Sequence, residues 1–237
     1  MSVLVFSAHA IDYLWRAGGT IARYTKSGED VHIVALTYGE RGESPSLWTK
    51  YPNVTEEEIK LVRKKEAEDA AEVLGATIEF LDYGDNPMEI TRERYMQLIS
   101  ILRRVKPRIV LTHTDRSATN PDHLDAGHHT LRAIRYAIQP GVEPQEGKID
   151  RPHVFLFEHQ QPESDGFQPQ VFVDITDVMD VKIEAMGKIL TQSALPAHYI
   201  NRAEYRGLLA RDAYGDKSIQ YAEAFEMVTP IVGPFLP

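Results

Sequence analysis

Residues 3–22 read VLVFSAHAIDYLWRAGGTIA. Val3, Leu4, Val5 and Phe6 form an unbroken apolar run, which suits a strand buried on both faces, as in a parallel sheet. From Asp12 onward the pattern is helical and runs to Gly28, where glycine supplies a stop. The turn between them carries His9 and Asp12, three residues apart at the carboxyl end of the strand. Tyr13 and Trp15 are expected to pack this helix, and Gly18-Gly19 to let it approach the sheet closely.

The same alternation continues outward. Strands are expected over 3–8, 31–37, 77–82, 108–113, 152–159 and 171–175, with helices over 12–27, 55–74, 91–105 and 122–138. Thr55 and Glu58 form a capping-box signature, and Asn120-Pro121 reads as a cap followed by a first-turn proline. After residue 175 helices are expected over 177–193 and 202–214, then a Pro-rich end, TPIVGPFLP (229–237), able to pack on a neighbouring copy in a homo-oligomer. Strand–helix–strand repetition implies right-handed crossovers and a mostly parallel, Rossmann-like three-layer α/β domain spanning 1–237. Ligands of such sheets bind beyond the carboxyl ends of the strands. The loops to inspect are therefore SAHAID, YGERGES, DYGDNP, HTDRSATNPDH and EHQQPE.

Composition narrows the chemistry. Among 237 residues, 26 Lys and Arg stand against 35 Asp and Glu, a net charge of −9, so no basic surface is left over for nucleic acid. With no cysteine, disulfides, Fe–S clusters and thiol nucleophiles are excluded, and a metal site has to be built from His, Asp and Glu. No basic leader precedes the short apolar N-terminal run, and no stretch reaches the length of a membrane helix, so the expected location is the cytoplasm. Two imidazoles and one carboxylate with open positions suit zinc, and equally ferrous iron or manganese. By spacing alone, a strand-end histidine such as His9 is more often a structural residue.

SAHAIDYLWRAGGTIA, followed much later by NPDH (120–123), resembles the PIG-L/LmbE superfamily of zinc-dependent deacetylases. The resemblance implies metal ligation by His9, Asp12 and His123. It also shows two departures. The position of the family's general base for amide hydrolysis is Ile11, which cannot accept a proton, and the first His of the distal motif is Asn120. AHAID together with GERGES (39–44) is similar to the superfamily's 4-oxalomesaconate hydratase branch, of gallate and aromatic catabolism. That similarity implies a hydro-lyase adding water to a small unsaturated keto-polycarboxylate, the alternative being an N-deacetylase acting on an N-acetyl sugar or amine. Hydration needs a proton acceptor and a proton donor. Glu43, in a loop whose Gly39 and Gly42 suggest mobility, and His159, at the end of the fifth strand, are the expected pair. Arg41, Arg116 and Asn120 are the expected substrate contacts, with Arg16 a further cation for carboxylates. Other readings stay open: Glu43 as a solvated loop charge, His159 as a backbone-bonded strand end, Arg41 paired with Glu40 or Glu43, and Asp122 as a partner orienting His123 or a helix-dipole charge.

Overall fold

The computed structural model describes residues 2–116, 119–143, 147–162, 164, 166–230 and 232. Its strands are β1 (Ser2–Ser7), β2 (Asp30–Ala35), β3 (Thr77–Phe80), β4 (Ile109–Thr112), β5 (His153–Phe157), β6 (Val171–Asp174) and β7 (Ala222–Met227). The helices are α1 (Asp12–Lys26), α2 (Pro45–Lys50), α3 (Glu56–Val73), α4 (Arg92–Val105), α5 (Pro121–Ala137), α6 (Met179–Met186) and α7 (Leu195–Tyr214). The strands form one sheet in the order β3-β2-β1-β4-β5-β7-β6. The first five are mutually parallel, while β7 runs antiparallel to both β5 and β6.

The alternation within β1 explains the layering. Val3 and Val5 join an apolar cluster with α1, α3 and α6, whereas Leu4 and Phe6 join a second cluster with α4 and α5. One strand thus feeds two cores, which is why its sequence is apolar throughout. Helix ends follow local chemistry: Thr55 and Glu58 make the reciprocal capping box of α3, and Asn120 caps α5 by accepting the amide of His123.

Two expectations need correction at the C-terminal end. The helix expected over 177–193 is a 3-10 turn at Thr176–Val178 followed by the shorter α6, and α7 begins seven residues before the expected 202. The segment AEAFEM is a strand that sequence reading missed, because its acids suggest a solvated loop. Here Glu223 and Glu226 are buried against partners, Lys182 and Arg116. The Lys182–Glu223 pair also reaches into α1. Glu223 accepts the amides of Gly19 and Thr20 at 2.9 and 2.7 Å, and Lys182 donates to the Trp15 carbonyl at 3.2 Å. A Cβ at Gly19 would stand 2.6 Å from Ile175, so glycine is what admits this packing. Most of the 229–237 tail lies outside the described residues. Among the described residues, no helix is long and apolar enough to cross a membrane.

Candidate active site

The chain reverses its direction of travel across the sheet between β1 and β4, and the candidate site lies at their carboxyl ends, where ligands of open α/β sheets bind. His9 and Asp12 come from the β1–α1 turn, and His123 from the first turn of α5, held by the Asn120 cap. His9 Nδ1 is 3.0 Å from Asp12 Oδ2 and 3.1 Å from His123 Nε2; His123 Nε2 is 3.2 Å from Asp12 Oδ2. Donor atoms around a four-coordinate ion bonded at about 2.0–2.1 Å stand about 3.3 Å apart, so this triangle has the size of one face of such a shell. Charge points the same way. Asp12, Glu43, Asp85 and Asp122 crowd around His9, while Arg16 and Arg63 are the guanidiniums whose charge reaches the group. Against the four carboxylates stand these two guanidiniums and His9 itself, whose charged form the carboxylates favour; a divalent cation would take the place of that proton. The residues fit a metal ion.

The surroundings fix each candidate ligand in place. Arg16 donates to Asp12 Oδ1 at 2.6 Å, leaving Oδ2 for the triangle. On the far side of His9, Nε2 lies 3.2 Å from Asp85 Oδ1 and 3.7 Å from Asp122 Oδ2. Burial opposes a charge on His9, but Asp12, Asp122 and Asp85 outweigh it and hold the imidazole well above its ordinary pKa. Asp122 accepts the amides of Asn86 and Met88 at 2.9 Å each. Burial would raise its pKa, yet His9 and these amides bring it down to about 2. Asp122 therefore orients His9 and the DYGDNP loop, where sequence reading had offered it to His123. His113, whose role the sequence left open, accepts the Ala8 amide at 3.0 Å and stacks on His123 with ring centres 4.3 Å apart. It ties the ends of β1 and β4 together.

Asp85 escaped the sequence reading. Its Oδ2 accepts the amides of Arg41 and Gly42 at 2.6 and 2.8 Å, so one carboxylate braces both His9 and the GERGES loop. Further hydrogen bonds hold that loop. Ser44 donates to the Gly39 carbonyl at 2.9 Å and the Trp48 indole to the Glu40 carbonyl at 2.8 Å. Gly39 adopts φ +70°, and a Cβ there would stand 2.9 Å from Glu43 and 3.2 Å from His9. Only glycine lets the Glu43 side chain come this close to His9. Glu43 Oε1 ends 3.8 Å from His9 Nδ1, and Oε2 accepts Gln192 Nε2 at 2.6 Å.

Beside the triangle opens a cleft of about 480 Å³ that Asp12, Arg16, Glu43, Gln160, Gln192 and Tyr199 help to line. His159 is buried at the end of β5, next to Gln160; Arg202 of α7 donates to the carbonyls of both. Two expected substrate contacts face elsewhere. Arg41 is half-exposed and pairs with Glu56 at 2.9 Å, and Arg116 pairs with Glu226 near the carboxyl end of β7. Arg16 is the arginine that lines the cleft, and Asn120 Nδ2 borders His123 Nε2 at 3.3 Å. Ile11 is buried in the apolar core.

Comparisons agree with this architecture. The chain is 41% identical to the 4-oxalmesaconate hydratase of Pseudomonas putida over 234 residues, covering 98% of this chain and 90% of that protein. It superposes on the crystal structure of GalB, the 4-carboxy-2-hydroxymuconate hydratase from Pseudomonas putida KT2440, with a TM-score of 0.96 and 40% identity, covering 100% of this chain and 99% of that one. Diacetylchitobiose deacetylase of Thermococcus kodakarensis is 32% identical over 194 residues, 78% of this chain and 67% of that protein. The PIG-L family, GlcNAc-PI de-N-acetylase, matches residues 4–134, and with this match over more than half its length the chain belongs to that family.

Proposed function

We propose that this protein is a metal-dependent hydro-lyase, with zinc as the resident ion, that adds water across the activated double bond of a small unsaturated keto-polycarboxylate of the 4-oxalomesaconate type. The observation that carries the reading is the pairing of an intact ligand triangle with a relocated carboxylate. Glu43 stands 3.8 Å from His9, while the residue at the family's usual base position, Ile11, is an apolar side chain in the core. The hydratase likeness over 98% of the chain supports it. The ion, when bound, would supply positive charge for the enolate that develops on the substrate.

The chain's own groups carry the protons. Glu43 accepts a proton from water as the C–O bond forms and the double-bond electrons move towards the keto oxygen. His159 then delivers a proton to the neighbouring carbon, and solvent exchange returns the proton from Glu43 to His159. The contacts to substrate carboxylates are assigned to Arg16, which lines the cleft, and Asn120, which borders His123.

The deacetylase relatives support the second reading, an amide hydrolase. It would need another base, Asp122 or Glu43; Asp122, its pKa brought down to about 2, is a poor one at neutral pH, which leaves Glu43 to serve in either reaction. The deciding measurement sets loss of 4-oxalomesaconate absorbance beside acetate release from N-acetylglucosamine conjugates, using zinc-loaded protein. Hydration without acetate is expected; efficient acetate release with no hydration would reverse the assignment. His123→Ala should lower metal content and abolish turnover while the far-ultraviolet circular dichroism stays unchanged.

A further inference from the structure

Glu43 leaves one question open. A glutamate in a loop, on the wall of an open cleft, has three side-chain torsions to lose before it can serve one substrate atom. Something has to hold it, and the holding group is 149 residues away in sequence. Gln192 Nε2 donates to Glu43 Oε2 at 2.6 Å.

The orientation of that amide is dictated by its other contacts. Gln192 Oε1 receives Trp15 Nε1 at 3.3 Å and an Arg63 guanidinium nitrogen at 3.2 Å. Indole and guanidinium can only donate, so the oxygen of the amide must face them and its NH₂ must face Glu43. The backbone around Gln192 is clamped as well. Glu66 accepts the amides of Leu190 and Thr191 at 2.9 Å each, and Arg63 donates to Thr191 Oγ1 at 2.9 Å and to the Tyr38 carbonyl at 3.1 Å. Arg63 and Glu66 lie on α3 and are buried. A rigid helix therefore fixes a surface segment, and that segment fixes the carboxylate.

We propose that Gln192 is a positioning residue for Glu43: locked by Trp15 and Arg63, its amide holds Oε2 and turns Oε1 towards the His9–Asp12–His123 triangle. This rests on Glu43 being the proton acceptor. The rival role for Gln192, which lines the cleft, is direct contact with substrate.

The test compares Gln192→Leu, which keeps side-chain bulk and loses the donor, with Glu43→Gln and the double variant, all zinc-loaded. A hydrogen bond to a charged group is worth about 10-fold to 100-fold when lost. Gln192→Leu should lower kcat by about that factor, with KM within about twofold and metal content unchanged. On the Glu43→Gln background the same change should have almost no effect, because positioning acts only through Glu43. A raised KM at constant kcat, or additive losses in the double variant, would overturn the proposal. A substrate-free readout separates it from the assigned reaction. The Gln192 side-chain amide resonance, identified by its loss in Gln192→Leu, should lie downfield in the wild type and move upfield in Glu43→Ala. If it does not respond, the contact is absent and the proposal fails, even where Gln192→Leu does not fold. If it responds and the enzyme hydrates nothing, only the reaction assignment falls.

Discussion

At the scale of single residues, the candidate site is shaped by groups that touch its three converging side chains from behind. Asp85 shows this most directly. Its two oxygens serve different masters, one beside His9 Nε2 and the other on the amides of Arg41 and Gly42. In Asp85→Asn the amide NH₂ must face either an N–H of the loop or His9, so one of those contacts becomes donor against donor. Loss of such an outer partner typically weakens metal binding 10–100-fold. We expect a drop of about that size for Asp85→Asn, measured by competition with a chromophoric chelator; unchanged affinity would show that His9 is held by its other neighbours alone. That His9, Asp12 and His123 would converge was expected from the resemblance of the two motifs to the family, spacing alone being too weak to say so, and the three side chains do meet. Asp85 was not expected, since no local pattern connects the β3–α4 loop to β1. Arg41 and Arg116 were misplaced for a related reason: loop membership says which end of the sheet a side chain occupies, whereas the neighbouring carboxylates, Glu56 and Glu226, decide where it points.

Among the elements, the five parallel strands and four of the five helices between 12 and 138 declared themselves through apolar runs, caps and stops; the short α2 did not. In the last third β6 was expected but the helix bounds were not, nor was β7. Its glutamates look solvent-seeking until the cations that bury them, Lys182 on α6 and Arg116 after β4, are brought in by the tertiary fold. Lys182 and Glu223 are themselves nearly inaccessible. Removing one member of a buried pair strands the other's charge, at a cost of about 3–5 kcal/mol. Lys182→Met is expected to lose about that much stability in urea unfolding, because Glu223 would keep only the Gly19 and Thr20 amides. A loss below about 1 kcal/mol would mean that those two amides suffice.

Across the whole molecule, the two apolar clusters lie on either side of the sheet, and the candidate metal ligands stand at its carboxyl rim. The fold is therefore expected to survive metal removal, while the metal-loaded state gains stability only through binding. At free metal about 100-fold above Kd that gain is about 2.7 kcal/mol, or roughly 5–10 °C in Tm for a domain of this size. Calorimetry with and without chelator should show a shift of that order with the circular dichroism unchanged at 25 °C; collapse of secondary structure on chelation would make the ion a structural one. The strand order has a last consequence, for synthesis on the ribosome. β7 sits between β5 and β6 in the sheet but follows both in the chain. Until residue 227 has emerged, β5 carries an open row of amides and carbonyls on one side and β6 has no pairing partner at all. Such an edge is a template for a strand from another molecule. A translation product that stops short of residue 222 would already hold every candidate metal ligand, yet its danger would lie in aggregation along β5.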